Sequence, residues 1–406
     1  MTTSWDCFDT LVARRGCDPL SVFDAMGKKY SLDNFTAKRK NAEYQAPHTL
    51  QTIYEALAPM YKWTPEQKEF FKQAEIQEEI DHCIPIVENL RQVKDGDLIV
   101  SDMYLPSEII DAILRKNGLT KAVSIYVTTG GKSSGTIWNT LPPIELHVGD
   151  NWHSDVESPK RHGINAKHYS GHGFSETEQQ IGGELSLLMR AVRLANPYEY
   201  GSNCWHIWHE QSQLNIPALI LAASDIPKTN VAFIYRDCIH LHRIHEQLHG
   251  SQNNAFHCSR VALKLGGEQW DQYVKQRAYG RTIVDLQGSG NSVSEYWLNT
   301  FNEEPDLLYV AGVLRIGKAL VNNKLDAIER FNSCDFGSLA KFPERYCCEF
   351  TEETLRAQHG AINCCIEHMR HLQIQPRSDT ILLEKIAIAM THSHTFRINR
   401  HVTVHN

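Results

Sequence analysis

Four separated groups of residues carry side chains suited to handling a phosphoryl group through magnesium: Asp6-Cys7-Phe8-Asp9-Thr10, Ser101, Lys132, and Gly149-Asp150-Asn151-Trp152-His153-Ser154-Asp155. Carboxylates can hold a hard cation, while a hydroxyl and an ammonium can hold anionic oxygens. For these groups to act together the chain must bring them to one place. The apolar run Leu98-Ile99-Val100 ends in Ser101-Asp102, which predicts a buried parallel strand delivering a hydroxyl at its carboxyl end. Ser124 to Thr129 is a second β-prone run, and the glycines after it release the chain into a loop carrying Lys132. Glu145 to Asp150 repeats the pattern, with a flexible Gly149 and a carboxylate at its tip. Ligands of open α/β sheets bind outside such strand ends.

The order and identity of these residues resemble the haloacid-dehalogenase-like hydrolase superfamily, over about the first 185 residues and at all four signature positions. The second half, with Arg236-Asp237 after one β-prone run, Ser259-Arg260 after another, and Asp285 followed by Gly288-Ser289-Gly290 after a third, is similar to the second domain of two-domain members associated with bacterial surface-polysaccharide genes. The resemblance implies that Asp6 is a nucleophile passing through an aspartyl-phosphate, which divides one hard displacement into two easier ones. It implies that Ser101 and Lys132 hold phosphoryl oxygens, and that Thr10 and Asp102 lie beside the substrate. It implies a magnesium ion held by Asp6, Asp150 and the main-chain carbonyl of Phe8, with Asp155 in support. Magnesium takes about six oxygens, only one or two from protein carboxylates.

Two departures from the family pattern affect the chemistry. Phosphatases of this type usually place a second Asp two residues after the nucleophile, as general acid and base; here that position is Phe8. Such catalysis is worth about 10² to 10⁴ in rate, so turnover is expected to be slow unless Asp9, a cap residue or water substitutes. Only Met1 to Trp5 precede Asp6, and three of these are polar, so the first strand is expected to be stunted. Taken singly, Asp-x-x-Asp-Thr reads as a turn or helix start, and Gly-Asp as a turn; their combination carries the functional reading.

At 406 residues the chain exceeds one ordinary core and predicts two or three domains. A net charge of −7 argues against general nucleic-acid binding, which needs clustered Lys and Arg. The sequence shows neither a membrane-length apolar run nor a signal-peptide layout, and a cytoplasmic protein is expected. Eleven cysteines without Cys-x-x-Cys spacing predict reduced thiols, the adjacent pairs Cys347-Cys348 and Cys364-Cys365 included. His242, His245 and His249 share one helical face, read as solvated rather than metal-binding. The Lys38-Arg39-Lys40 run is likewise read as a solvated surface.

The predicted fold class is α/β: a Rossmann-like parallel sheet with a helical cap insertion, followed by a second α/β domain. The first domain is placed at residues 1–185, with the cap at about 16–95, and the second at 186–406. A cap of this kind closes over a site and excludes water. In the second half, Val231 to Tyr235 leads into Arg236-Asp237, Asn254 to His257 into Ser259-Arg260, and Arg281 to Asp285 into Leu286 to Ser292. Parallel neighbours here would turn their polar tips into one crevice. Asp285, Gly288, Ser289 and Gly290 are candidate ligand contacts there, because glycines between strand and helix let backbone amides approach a phosphate. The loop lacks the lysine of a P-loop and the third glycine of a dinucleotide fingerprint, and a tight structural corner explains it equally well. It is distantly similar to the ribose-phosphate loop of phosphoribosyltransferases, without the acidic pair that precedes that loop. Thr351 to His359, Ala361 to Leu372 and Thr380 to Met390 read as helices, and the tail from Thr391 to Asn406 as a surface strand or frayed end.

Two functions stay open on these residues. In the first, the chain is a magnesium-dependent hydrolase acting on a small phosphorylated metabolite. In the second, its first domain is catalytically weak and the second domain binds a nucleotide or phosphoribosyl ligand, as Phe8 would favour.

Overall fold

The computed structural model describes residues 2–46, 49–235, 237–334, 339–345 and 350–398. It comprises two compact units, Met1–Ser175 and Glu176–Asn406. A division after residue 185 would cut the helix Gly183–Leu194, whose Leu185, Leu188, Met189 and Val192 all lie in the core of the second unit. Arg236, Cys347 and Cys348 lie outside the described residues, as does 399–406 of the tail; Thr391 to Ile398 ends in a short helix, His394–Ile398.

The first unit is built on a parallel sheet of β1 (Thr3–Trp5), β4 (Leu98–Asp102), β5 (Ser124–Thr128), β6 (Leu146–Gly149) and β7 (Asn165–His168), in the order β5-β4-β1-β6-β7. The stunted strand β1 is central, paired on both sides. Buried Asp97 anchors it by accepting from the Thr3 amide at 3.1 Å and the Trp5 indole at 3.0 Å. The Asp6 amide extends the ladder one step, donating to Val148 O at 2.8 Å. Chain order changes direction between β1 and β6, so their carboxyl ends flank the switch point where open sheets bind ligands.

Between β2 (Val12–Arg14) and β3 (Cys83–Pro85), an antiparallel ribbon, stand helices Ser21–Lys29, Phe35–Gln45, Leu50–Tyr61 and Pro65–His82. Their starts follow local chemistry. Thr49 with Thr52 and Thr64 with Gln67 form capping boxes, and Pro65 occupies the first turn. Arg39 is not on a solvated face as its basic neighbours suggested: it is fully buried and bidentate to Glu75 at 2.9 and 2.8 Å. The Tyr54 hydroxyl adds a third contact to that carboxylate. A buried guanidinium requires such partners, and the pairing joins two of the four helices.

The second unit carries β8 (Val231–Tyr235), β9 (Asn254–His257), β10 (Thr282–Gly288), β11 (Leu307–Gly312) and β12 (Lys318–Val321), all parallel, in the order β12-β11-β10-β8-β9. The two predicted helices after Thr351 are one, Glu352–His371. Gly360 within it does not end the helix; a Cβ there would come 2.9 Å from the Trp208 ring, so the glycine serves close packing. The histidine face also differs from expectation. His242 and His245 are buried, with His242 stacked on Phe233 and bonded to the Tyr235 hydroxyl at 2.6 Å, and His245 Nε2 donating to Pro227 O at 3.0 Å. Both imidazoles belong to the core of the second unit. Nine described cysteines are free thiols.

No helix among the described residues is long and apolar enough to cross a membrane.

Candidate active site

The first crevice is organised around Lys132. Gly130, with φ +78°, turns the chain after β5, and Lys132 lies in the short helix Gly131–Ser134, 2% exposed rather than on an open loop. The Asp102 carboxylate accepts from the Gly131 amide at 3.2 Å, and the Ser158 hydroxyl donates to Lys132 O at 2.5 Å. These bonds fix the helix so that Lys132 Nζ meets Asp6 Oδ1 at 2.5 Å, Asp155 Oδ1 at 2.6 Å and Val100 O at 3.3 Å. Burial by itself disfavours the ammonium, but the two carboxylates outweigh it and raise the pKa of Lys132.

Asp155 is held by three kinds of donor. Besides Lys132 it accepts from the Asn151 amide at 3.0 Å and from His147 Nε2 at 3.1 Å. His147 is fully buried, which lowers its pKa and keeps the ring neutral. A carboxylate only accepts, so Nε2 carries the ring proton and Nδ1 accepts from Ser4 Oγ at 2.7 Å. A continuous chain thus runs Ser4–His147–Asp155–Lys132–Asp6. Burial pushes the Asp155 carboxyl up, but His147 and Lys132 hold it at about 2. Gly149 earns its place by space and not by flexibility: a Cβ there would lie 2.4 Å from Asp155 Cγ.

Asp6 and Asp150 differ from Asp155. Burial raises Asp6 to about 6 against the pull of Lys132. Burial, then Asp6, Asp9 and Asp155 together, raise Asp150 to about 7. Carboxylate oxygens of Asp6, Asp150 and Asp155 lie within 4.8 Å of one another, and Asp9, Asp150 and His172 form a second such group. One buried ammonium does not balance this many acids. The set Asp6, Asp150 and Asp155 is all oxygen and carries surplus negative charge, with Asp6 and Asp150 raised by burial first and by neighbouring acids second, which fits a hard divalent cation such as magnesium.

The remaining expected residues are placed as follows. Ser101 is buried at the tip of β4. Thr10 is fully buried, its hydroxyl without a hydrogen-bond partner among the described residues, and its carbonyl accepts from Asn89 Nδ2 at 2.8 Å. Asp9 adopts φ +56° and its amide donates to Val12 O at 2.6 Å, which turns the chain sharply soon after Asp6. The Phe8 ring lies 4.3 Å from the Arg14 guanidinium, itself paired with Glu79, so this position carries packing and no proton. Asp285, Gly288, Ser289 and Gly290 line a cavity within the second unit. Sequence reasoning missed His147, His172 and Ser158. His147 could have been found as the polar residue inside an apolar strand; His172 sits in a Gly-, Ser- and His-rich stretch that reads as linker.

Neither a protein-family model nor a curated protein sequence matches this chain. Among solved structures it is similar to the L-2-haloacid dehalogenase from Xanthobacter autotrophicus with chloropropionic acid covalently bound, at 17% identity and a TM-score of 0.29. That match covers 44% of this chain and 80% of that one.

Proposed function

We propose that the first unit is a magnesium-dependent hydrolase of the haloacid-dehalogenase-like type, releasing phosphate from a small phosphorylated metabolite. The observation that carries this reading is Lys132, buried and bonded to both Asp6 and Asp155, with the Asp150 carboxylate within 4.8 Å of theirs at the ends of β1 and β6. A buried amine beside a carboxylate with a raised pKa, at a sheet switch point, is the setting in which functional groups of open α/β sheets are found.

In the proposed reaction an Asp6 carboxylate oxygen attacks phosphorus and the ester P–O bond breaks, the leaving oxygen taking a proton. Water then attacks the phosphorus of the aspartyl-phosphate, the bond to Asp6 breaks, and inorganic phosphate leaves. Lys132 and Ser101 face the phosphoryl oxygens, and Lys132 stabilises charge that grows in the transition state. Asp155, its oxygens engaged by Lys132, His147 and Asn151, positions Lys132. Asp9 is the proposed proton carrier in place of Phe8. Magnesium, held by Asp6, Asp150 and the Phe8 carbonyl, would neutralise phosphoryl charge.

The test is phosphate release from a panel of phosphate esters. Release should require magnesium and vanish in Asp6→Asn; release unchanged in that variant sinks the mechanism.

A further inference from the structure

The second unit has its own switch point. Chain order reverses between β8 and β10, and a cavity of about 110 Å³ opens at their carboxyl ends. Its lining includes Asp237, Arg260, Asp285, Gly288, Ser289 and Tyr309.

Strand alternation accounts for the cavity wall. In β10 and β11, Val284, Leu286, Leu308 and Val310 face one apolar core, whereas Ile283, Leu307 and Tyr309 face another. Asp285 and Tyr309 are registered partners on adjacent parallel strands, so they share this second face. Tyr309 is 3% exposed and its hydroxyl has no hydrogen-bond partner among the described residues. A buried phenol normally finds a partner, and here the cavity provides the space for one.

The opposite wall is backbone. Gly288-Ser289-Gly290 connects β10 to the eleven-residue helix Asn291–Phe301, whose N-terminus no side chain caps. Gly290 adopts φ +71°, and a Cβ at Gly288 would come 2.9 Å from the Tyr309 ring, so loop and phenol are in direct apposition. The free amides of a helix start, with the helix dipole behind them, favour an anion. Arg260 adds a cation at the rim. Asp237, Asp285 and Glu329 also line the cavity. Carboxylates accept at about four lone-pair positions and can take hydroxyl donors beyond their protein contacts.

We infer that this cavity binds the monophosphate ester of a small polyol, its phosphate on the Gly288–Asn291 amides and its hydroxyls on Tyr309 and Asp285. The inference stands independently of the hydrolase reading. It is tested by calorimetric titration of the full chain with glycerol 3-phosphate, glucose 6-phosphate, inorganic phosphate and glucose, all in EDTA. The chelator keeps divalent cations from the carboxylates of the first unit, so a failure of magnesium chemistry there leaves this titration untouched.

One ester should bind with unit stoichiometry, more tightly than inorganic phosphate or glucose. Ser289→Glu, which places a negative charge at the loop, should weaken it about tenfold or more, the scale of a lost hydrogen bond to an ionised group. Tyr309→Phe keeps the ring packing, and should weaken the ester about fivefold while leaving inorganic phosphate unchanged. No heat from either ester in the millimolar range overturns the proposal, and so does binding indifferent to both substitutions. Inorganic phosphate binding as tightly as the esters overturns the polyol assignment.

Discussion

The two crevices share an architecture and differ in what fills it. Each lies at the switch point of a five-stranded parallel sheet, beside β1 and β6 in the first unit and beside β8 and β10 in the second. The first holds a buried ammonium among acids: Lys132 bonded to Asp6 and Asp155, with Asp150 close by. The second sets glycine backbone and an uncapped helix start against a buried phenol. The first crevice thus concentrates buried charge on side chains, whereas the second places backbone amides and a phenol beside carboxylates and an exposed arginine. The strand-tip residues differ, and so do the sheets beneath them: the first strand of the unit is central in one sheet, and the third, β10, in the other.

The sharpest way to break this contrast is Lys132→Met. Removing one partner of a buried ion network leaves uncompensated charge and costs about 3–5 kcal/mol. Denaturant unfolding should show the loss in the first unit, with magnesium restoring part of it; an unchanged midpoint would mean the network is not coupled to folding. Next is Gly149→Ala, where the new Cβ at 2.4 Å from Asp155 Cγ forces a backbone shift. Overpacking of that kind costs about 1–3 kcal/mol, and phosphate release should fall with it; full activity in this variant would show that Asp155 need not stay where it is.

The pH dependence sharpens the comparison further. Asp6 and Asp150 have folded pKa values raised from 3.8 to about 6 and about 7. A raised carboxyl favours the fold while protonated, so its contribution is full below about 4 and is lost as pH rises through 6 to 7. In metal-free protein the first unit should therefore lose stability across that window, and Asp150→Asn should flatten the profile. Asp155, held at about 2, works in the opposite sense, contributing above 3.8 and losing that contribution as pH falls toward 2. A metal-free melting temperature that rises between pH 4 and 7 would contradict the charge surplus. Smallest of all, Lys40→Ala on the exposed side of the helix Phe35–Gln45 should change stability by no more than about 0.5 kcal/mol. The same truncation at buried Arg39, one residue away, should be far costlier.

Much of the framework is legible in the residues alone. Leu98 to Asp102, Val231 to Tyr235 and Asn254 to His257 are strands, because apolar runs bounded by polar tips have few other ways to be buried. Gly118 ends a helix at φ +97°, as a glycine after Lys116-Asn117 suggests. Where the reading failed, the cause was non-local. Arg39 lies in a basic run, and only Glu75, thirty-six positions later, draws it inside. His242 and His245 have the spacing of a surface stripe, and only the apposition of Phe233 makes that face a core face. Gly360 reads as a helix stop until Trp208 is seen packed against it.

By itself the order of residues determined the α/β class, the parallel strands, and which side chains stand at strand tips, since these depend on hydrophobic period and local backbone preference. Only tertiary structure decided that Lys132 is buried between two carboxylates, that His147 is neutral and holds Asp155, and that Gly149 is required for room. Each of these is a contact between positions distant along the chain, fixed by how the strands are ordered in the sheet, and no local pattern encodes that order.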